Sequence, residues 1–226
     1  HADGWSGTTK QTLAYGYGLS ATPLQIARAY AAIGNGGMAM TPTFVKGQAS
    51  EPQRVLDAEV AGQVLRMMQT VTEPGGTATR AAILGYHVAG KTGTARKSEG
   101  GGYSRRYVAY FAGLVPVETP RFAMTVVIND PDPSRGGSTY GGGYVSAPLF
   151  ARVMDGALRL MDVPPDDIET WLAAQADARR FQTDSQRSTR AFFQLTRAWG
   201  RRLGDQKKRS GEAEGEAFEK QSTMAA

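Results

Sequence analysis

Apolar positions recur at helical spacing in three stretches of the chain. From Thr22 to Ile33, Leu24, Ala27 and Ala31 fall on one strip, and Ile26, Tyr30 and Ile33 fall on the next. A helix that is apolar on several sides is expected to be buried. Thr22 is placed to cap it and Pro23 suits its first position, while Gly34-Asn35-Gly36-Gly37 ends it. A second helix is predicted from Asp57 to Val71, with Val60, Val64, Leu65, Met67 and Met68 as its apolar stripe and the two methionines as core. Pro74-Gly75-Gly76 breaks it. A third runs from Ala147 to Met161, with Leu149, Val153, Met154, Ala157, Leu158 and Met161 on one side, and Pro164-Pro165 stops it.

Between the second and third helices the period changes from helical to strand-like. Tyr86–Ala95, Tyr107–Val115 and Phe122–Ile128 read as strands, the last continuous enough to be covered on both faces. Thr41–Val45 reads as a further short strand. Lys97–Arg106 is expected to be a connection, Pro116–Pro120 a hairpin turn, and Asp130–Gly143 a loop. These elements predict an α+β fold: a mostly antiparallel sheet with the third helix packed on it, and the first two helices in the other half of the domain. After Asp167 the composition shifts to Arg, Lys, Glu, Gln, Ser and Ala. Residues 1–167 are therefore expected to form the domain. Residues 168–226 are expected to form a charged tail, helical over 168–181 and 189–203 and disordered from Gly204.

Composition narrows the function classes. Of 226 residues, 41% are hydrophobic and 21% charged, enough apolar content for a core and too much for a disordered chain. The net charge of +5 is modest and much of the base lies near the C-terminus, so no nucleic-acid footprint is expected. The lack of cysteine excludes disulfides, thiolate metal sites and cysteine nucleophiles. No apolar run approaches the roughly 18 residues of a membrane helix. The chain begins at His1 rather than Met, which reads as a piece of a longer protein whose anchor or leader lies elsewhere.

The sharpest motif runs from Gly85 to Thr92 and has two readings. G-Y-H-V-A-G-K-T fits the phosphate-binding pattern G-x-x-x-x-G-K-S/T, and Val126–Asp130 resembles its acidic strand partner. A phosphate loop needs a helix directly after the lysine, yet Thr92 is followed by a Gly- and charge-rich stretch that is unfit for one. The other reading is the K-T-G element of the penicillin-interacting serine enzymes. On a strand edge, Lys91 offers a fixed positive charge, Thr92 and Thr94 put hydroxyls on one face, and Gly93 lets a substrate backbone come close. The Thr94 amide is available to an oxyanion.

Several blocks extend the second reading. They are Tyr15–Ala27 (YGYGLSATPLQIA), Gly85–Lys97 (GYHVAGKTGTARK), Tyr110–Pro116 (YFAGLVP) with Phe122–Ile128 (FAMTVVI), and Val145–Phe150 (VSAPLF). Together, from about Trp5 to Asp167, the chain resembles the C-terminal half of the transpeptidase domain of class B penicillin-binding proteins, and within them the division type of Gram-negative bacteria. The resemblance implies the penicillin-binding-protein/β-lactamase-like fold and acyl transfer from D-Ala-D-Ala stem peptides, with β-lactams as donor mimics and no cofactor. It implies catalytic roles for Lys91 and Thr94, and substrate contacts from Thr92, Gly93, Arg96, Tyr107 and Tyr140, with Phe111 close by. It further implies peptidoglycan stem peptides as partners, and division proteins and a glycosyltransferase alongside the full-length protein. The implied location is the periplasmic face of the inner membrane at the division septum.

The family's serine nucleophile belongs to an S-x-x-K element, accompanied by S-x-N, and neither pattern occurs in these residues. Both are expected upstream of Tyr15, so this chain supplies a binding edge and an oxyanion donor but nothing to acylate. A non-catalytic penicillin-sensing module would keep the same edge. Other tempting groups have plainer readings: His87 as a packed or surface residue, and Asp130 and Asp132 as a turn. Gly141-Gly142-Gly143 reads either as a simple connection or as a loop bordering the cleft beside Tyr140.

Overall fold

A computed structural model describes residues 7, 9–14, 16, 19–99, 102–132 and 140–180, with scattered positions between 182 and 194. In chain order the elements are α1 (Thr9–Ala14), α2 (Pro23–Gly34), the two-residue strands β1 (Met38–Ala39) and β2 (Gln53–Arg54), and α3 (Ala58–Gln69). Then come β3 (Ala89–Glu99), β4 (Gly102–Val115), β5 (Phe122–Asn129), the single turn α4 (Gly142–Val145) and α5 (Ala147–Leu160). The chain divides into two units, His1–Trp171 and Leu172–Ala226. A helix runs over 168–180, while most of the stretch predicted helical over 189–203, and all of the chain from Gly204, lies outside the described residues.

β3, β4 and β5 form an antiparallel sheet in that order. Thr92 stands opposite Phe111, which stands opposite Val126; Gly93 stands opposite Tyr110, which stands opposite Val127. Alternation along the strands therefore sends these two rows to opposite faces. Phe111, Val115 and Val126 meet Phe150, Met154 and Leu158 of α5 in the larger core. Phe111 and Phe150 meet edge to face at 4.9 Å. On the other face Ala89 and Leu114 pack with Leu65 and Met68 of α3, and Gly34 at the end of α2 is close enough for an added Cβ to lie 3.1 Å from Leu114 and Pro120.

The sheet is thus covered by α2 and α3 on one side and by α4 and α5 on the other. This corrects the expectation that the first two helices belong to the other half of the domain. The small residues at the end of α2 and the Leu65–Met68 pair on α3 fit directly against the strands. Burial of α2 is also less than its sequence predicts: only Ala32 is buried, and Leu24 is 53% exposed. Leu24, Ala27, Met38, Met40 and Pro120 instead line an open groove of about 450 Å³.

Local chemistry explains the element boundaries. Thr22 caps α2 reciprocally: its hydroxyl accepts from the Gln25 N–H at 3.2 Å, and its own N–H donates to Gln25 Oε1 at 2.8 Å. Asp57 caps α3 by accepting from Glu59 N–H and Val60 N–H. Met68 joins the core but Met67 is 63% exposed, because consecutive helical residues lie 100° apart and cannot share a face. Thr41–Val45 is irregular rather than a strand. Met38–Ala39 takes the pairing with Gln53–Arg54, and the Thr41 N–H donates to Ser50 Oγ at 2.7 Å instead. Lys97–Arg106, expected as a connection, mostly continues the ladder of β3 and β4, with a register shift between Arg96 and Ser98.

The segment after α5 returns to the start of β3. The Asp166 carboxylate accepts N–H groups from His87 at 2.8 Å, Val117 at 3.1 Å and Glu118 at 3.4 Å. The Tyr86 hydroxyl donates to the Val163 carbonyl at 2.7 Å, and the phenol is held above its usual pKa, chiefly by desolvation.

Candidate active-site edge

Among the described residues, β3 pairs with β4 on one side only, so the K-T-G-T stretch lies along a free strand edge. A free edge offers backbone donors and acceptors to an extended ligand. Lys91 and Gly93 share one face of this edge; Thr92 and Thr94 share the other.

Gly93 is required by what lies beneath it. A Cβ there would fall 2.0 Å from the Tyr110 ring, directly across the ladder. Tyr30 of α2 lies near Tyr110, and burial, with a smaller contribution from Tyr110, pushes its phenol up to about 12. Gly90 has the same need, since a Cβ would meet the Phe111 ring at 2.4 Å.

The opposite face is closed by α4. The Gly142 N–H donates to Thr94 Oγ1 at 3.2 Å. Thr92 Oγ1 lies 3.0 Å from Thr77 Oγ1, in the turn that follows α3. Gly142 and Gly143 are both buried, and a Cβ on either would fall 2.0 Å from a carbonyl, Tyr110 O for the first and Thr77 O for the second. The glycine run is therefore not a plain connection: it seats α4 against the edge strand. Lys91 Nζ, on the outer side, donates to the Thr92 carbonyl at 3.0 Å.

Beyond Thr94 the surface becomes aromatic. Tyr107 stands opposite Arg96 in the ladder, and the guanidinium lies 5.8 Å from the centre of its ring. Tyr140 stacks on Tyr107 at 4.6 Å, with the ring planes 24° apart. The fold thus brings all seven residues singled out from the sequence to β3 and its immediate border. Phe111 is different: it is fully buried beneath Thr92 and offers a ligand no surface. Of the two groups that hold the threonine hydroxyls, Gly142 lies in the glycine run read as a possible border of the cleft, although its contact with Thr94 was not anticipated, and Thr77 was not anticipated at all. Their only trace in the sequence is that each lies in or beside a glycine run.

The phosphate-loop reading fails on geometry. Lys91 and Thr92 are mid-strand, β3 continues to Glu99, and the acidic-strand lookalike is β5, separated from β3 by β4. His87 has its ring beside Asp166, Nδ1 to Oδ1 at 3.7 Å. Asp130 occupies a left-handed turn position, φ 57°, and accepts from Arg106 Nε at 2.6 Å. Ser146 is fully buried and donates to the Ala109 carbonyl, so it is a structural hydroxyl.

Residues 2–155 match the penicillin binding protein transpeptidase domain family. The peptidoglycan D,D-transpeptidase FtsI of Escherichia coli (strain K12) is 45% identical over 168 residues, which is 74% of this chain and 28% of that protein. The probable peptidoglycan D,D-transpeptidase PenA of Neisseria gonorrhoeae is 39% identical over 164 residues, 71% of this chain and 27% of that protein. The apo TP domain of Burkholderia pseudomallei penicillin-binding protein 3 superimposes with a TM-score of 0.64 at 36% identity, covering 72% of this chain and 49% of that one. The chain therefore spans little more than a quarter of the length of these curated relatives. With the family match spanning most of the sheet and its flanking helices, this chain belongs to the penicillin-binding-protein transpeptidase domain family.

Proposed function

We propose that the chain carries the ligand-binding edge of a peptidoglycan D,D-transpeptidase of the division type. The observation that carries this reading is the pair of hydroxyls, Thr92 and Thr94, held on one face of a free strand edge that also bears Lys91. Such an edge suits a peptide ending in a carboxylate: the strand supplies backbone pairing, while the hydroxyls and ammonium supply anion contacts. In this reading Thr92 and Thr94 bind the terminal carboxylate of a D-Ala-D-Ala stem. Gly93 keeps the edge strand flat over the Tyr110 ring, so that the ligand backbone meets it from the open edge, and the Thr94 amide stabilises the oxyanion of the tetrahedral intermediate. Lys91 adds positive charge to carboxylate binding and proton movement. Arg96, Tyr107 and Tyr140 form a wall along the ligand.

The reaction forms an acyl-serine ester with loss of D-Ala, then transfers the acyl group to an amine of a second stem. A β-lactam enters the first step and stays. The serine comes from an S-x-x-K element outside these residues, so this chain by itself is inactive. The full-length protein acts at the periplasmic face of the inner membrane with division proteins and a glycosyltransferase. Residues 168–226 are an appendage to the transpeptidase portion at 1–167.

Intact mass after incubation with benzylpenicillin tests the reading. The full-length gene product is expected to gain one covalent adduct and this chain none. An adduct on this chain would place the nucleophile among its own serines. No adduct on the folded full-length product would leave a penicillin-sensing or other non-acylating role in place of the transpeptidase.

A further inference from the structure

Each hydroxyl of the Thr92–Thr94 pair already holds one hydrogen bond to a group outside the sheet. Thr94 Oγ1 accepts from the Gly142 amide at 3.2 Å, so its own proton is left for another partner. A hydroxyl has one proton and two acceptor lone pairs. Thr92 reaches the same state only when Thr77 is the donor across their 3.0 Å contact.

The backbone around Thr77 is fixed from two sides. Its neighbour Ala78 is buried in the core and donates to the Val71 carbonyl at 2.9 Å. The Thr77 carbonyl faces Gly143 so closely that a Cβ there would lie 2.0 Å away. The Thr77 backbone is thus held between core and α4, while its exposed side chain directs the hydroxyl at β3.

We infer that Thr77 is a positioning residue for the ligand edge: it donates to Thr92 Oγ1 and frees the Thr92 proton, beside that of Thr94, for the carboxylate of an incoming ligand. Hydroxyls that accept while they donate polarise one another, so the chain from Thr77 through Thr92 strengthens the outer bond. In this role Thr77 acts through Thr92 rather than on the ligand. The role rests on the transpeptidase reading, which supplies the carboxylate.

The test uses the full-length gene product with benzylpenicillin and with its methyl ester, which lacks the anionic carboxylate. Second-order acylation rates are read by intact mass. Thr77→Val removes the donor with little change of shape; Thr77→Ser retains it. The valine variant is expected to lose about tenfold with benzylpenicillin, through weaker binding rather than slower acylation at saturation, and less than about twofold with the ester. The serine variant is expected to stay within about twofold of wild type on both. A valine variant that reacts like wild type overturns the role. Equal losses on both ligands also overturn it, by marking Thr77 as a structural post. A wild-type protein that is never acylated sinks the transpeptidase reading and this role together, whereas failure of the variant contrasts alone sinks only the role.

Discussion

A methyl group at position 93 would lie 2.0 Å from the Tyr110 ring. Gly93→Ala is therefore expected to shift β3 off its ladder, costing about 1–3 kcal/mol in stability and reducing benzylpenicillin acylation of the full-length product by more than its effect on folding explains. Thermal melts and acylation rates on the same samples check this; an alanine variant with wild-type values on both would show that the strand has slack. Tyr30 makes a separate prediction. Its folded phenol titrates at about 12 against an ordinary 10, so the fold binds one more proton than the unfolded chain between those values. Its contribution is fully present below about pH 10 and is lost as pH rises towards 12. Denaturant titrations across that window should show wild type losing stability more steeply than Tyr30→Phe. Parallel curves would refute the assignment.

At the scale of elements, what was legible followed from local rules. The bounds of α2, α3, β5 and α5 were readable to within a few residues because caps, prolines and periodicity are written in adjacent positions. Thr22→Ala is accordingly expected to cost about 1 kcal/mol by removing one side of a reciprocal cap; a chemical denaturation midpoint that does not move would show the cap to be redundant. What depended on partners was not legible. Leu24 and its neighbours predict burial, but an apolar strip does not say what will cover it. Met67 and Met68 look alike in sequence and part at a helix turn. The polar stretch from Lys97 to Arg106 hides strand because a ladder far from the core does not need apolar side chains. The K-T-G-T edge was visible because its chemistry is contiguous. The contacts that hold its hydroxyls were not, since Thr77 and Gly142 reach it from 15 and 48 residues away, although the glycine run containing Gly142 was legible as a border of the cleft.

Across the whole first unit, Asp166 joins parts of the chain that are distant in sequence. One carboxylate, 8% exposed, serves the amide that leads into β3 and two amides of the β4–β5 turn. Asp166→Ala should cost about 2–4 kcal/mol, since it takes the acceptor from the His87 and Glu118 amides and leaves Val117 N–H with the His87 carbonyl alone. The loss should appear as faster amide exchange at His87, Val117 and Glu118 before any change at Phe111. Exchange rising uniformly over the sheet would mean that Asp166 supports the fold in general rather than this junction.

The glycines around the edge bear on how such a protein changes its ligand preference. At Gly90, Gly93, Gly142 and Gly143 an added carbon has 2.4 Å or less to its nearest neighbour. Those positions form a tightly packed cradle, in which, on the proposed transpeptidase reading, a larger residue spoils the site for peptide and antibiotic alike. Arg96 and Tyr107 pair through their backbones, but the Arg96 side chain lies over the Tyr107 ring, which stacks on Tyr140 at the surface beyond Thr94, and on the proposed reading these side chains line the ligand path. If the edge binds β-lactams as proposed, heritable adaptation under drug selection is funnelled to the rim: an antibiotic that leans on the cradle leaves little room for escape, and one that leans on the aromatic row invites it.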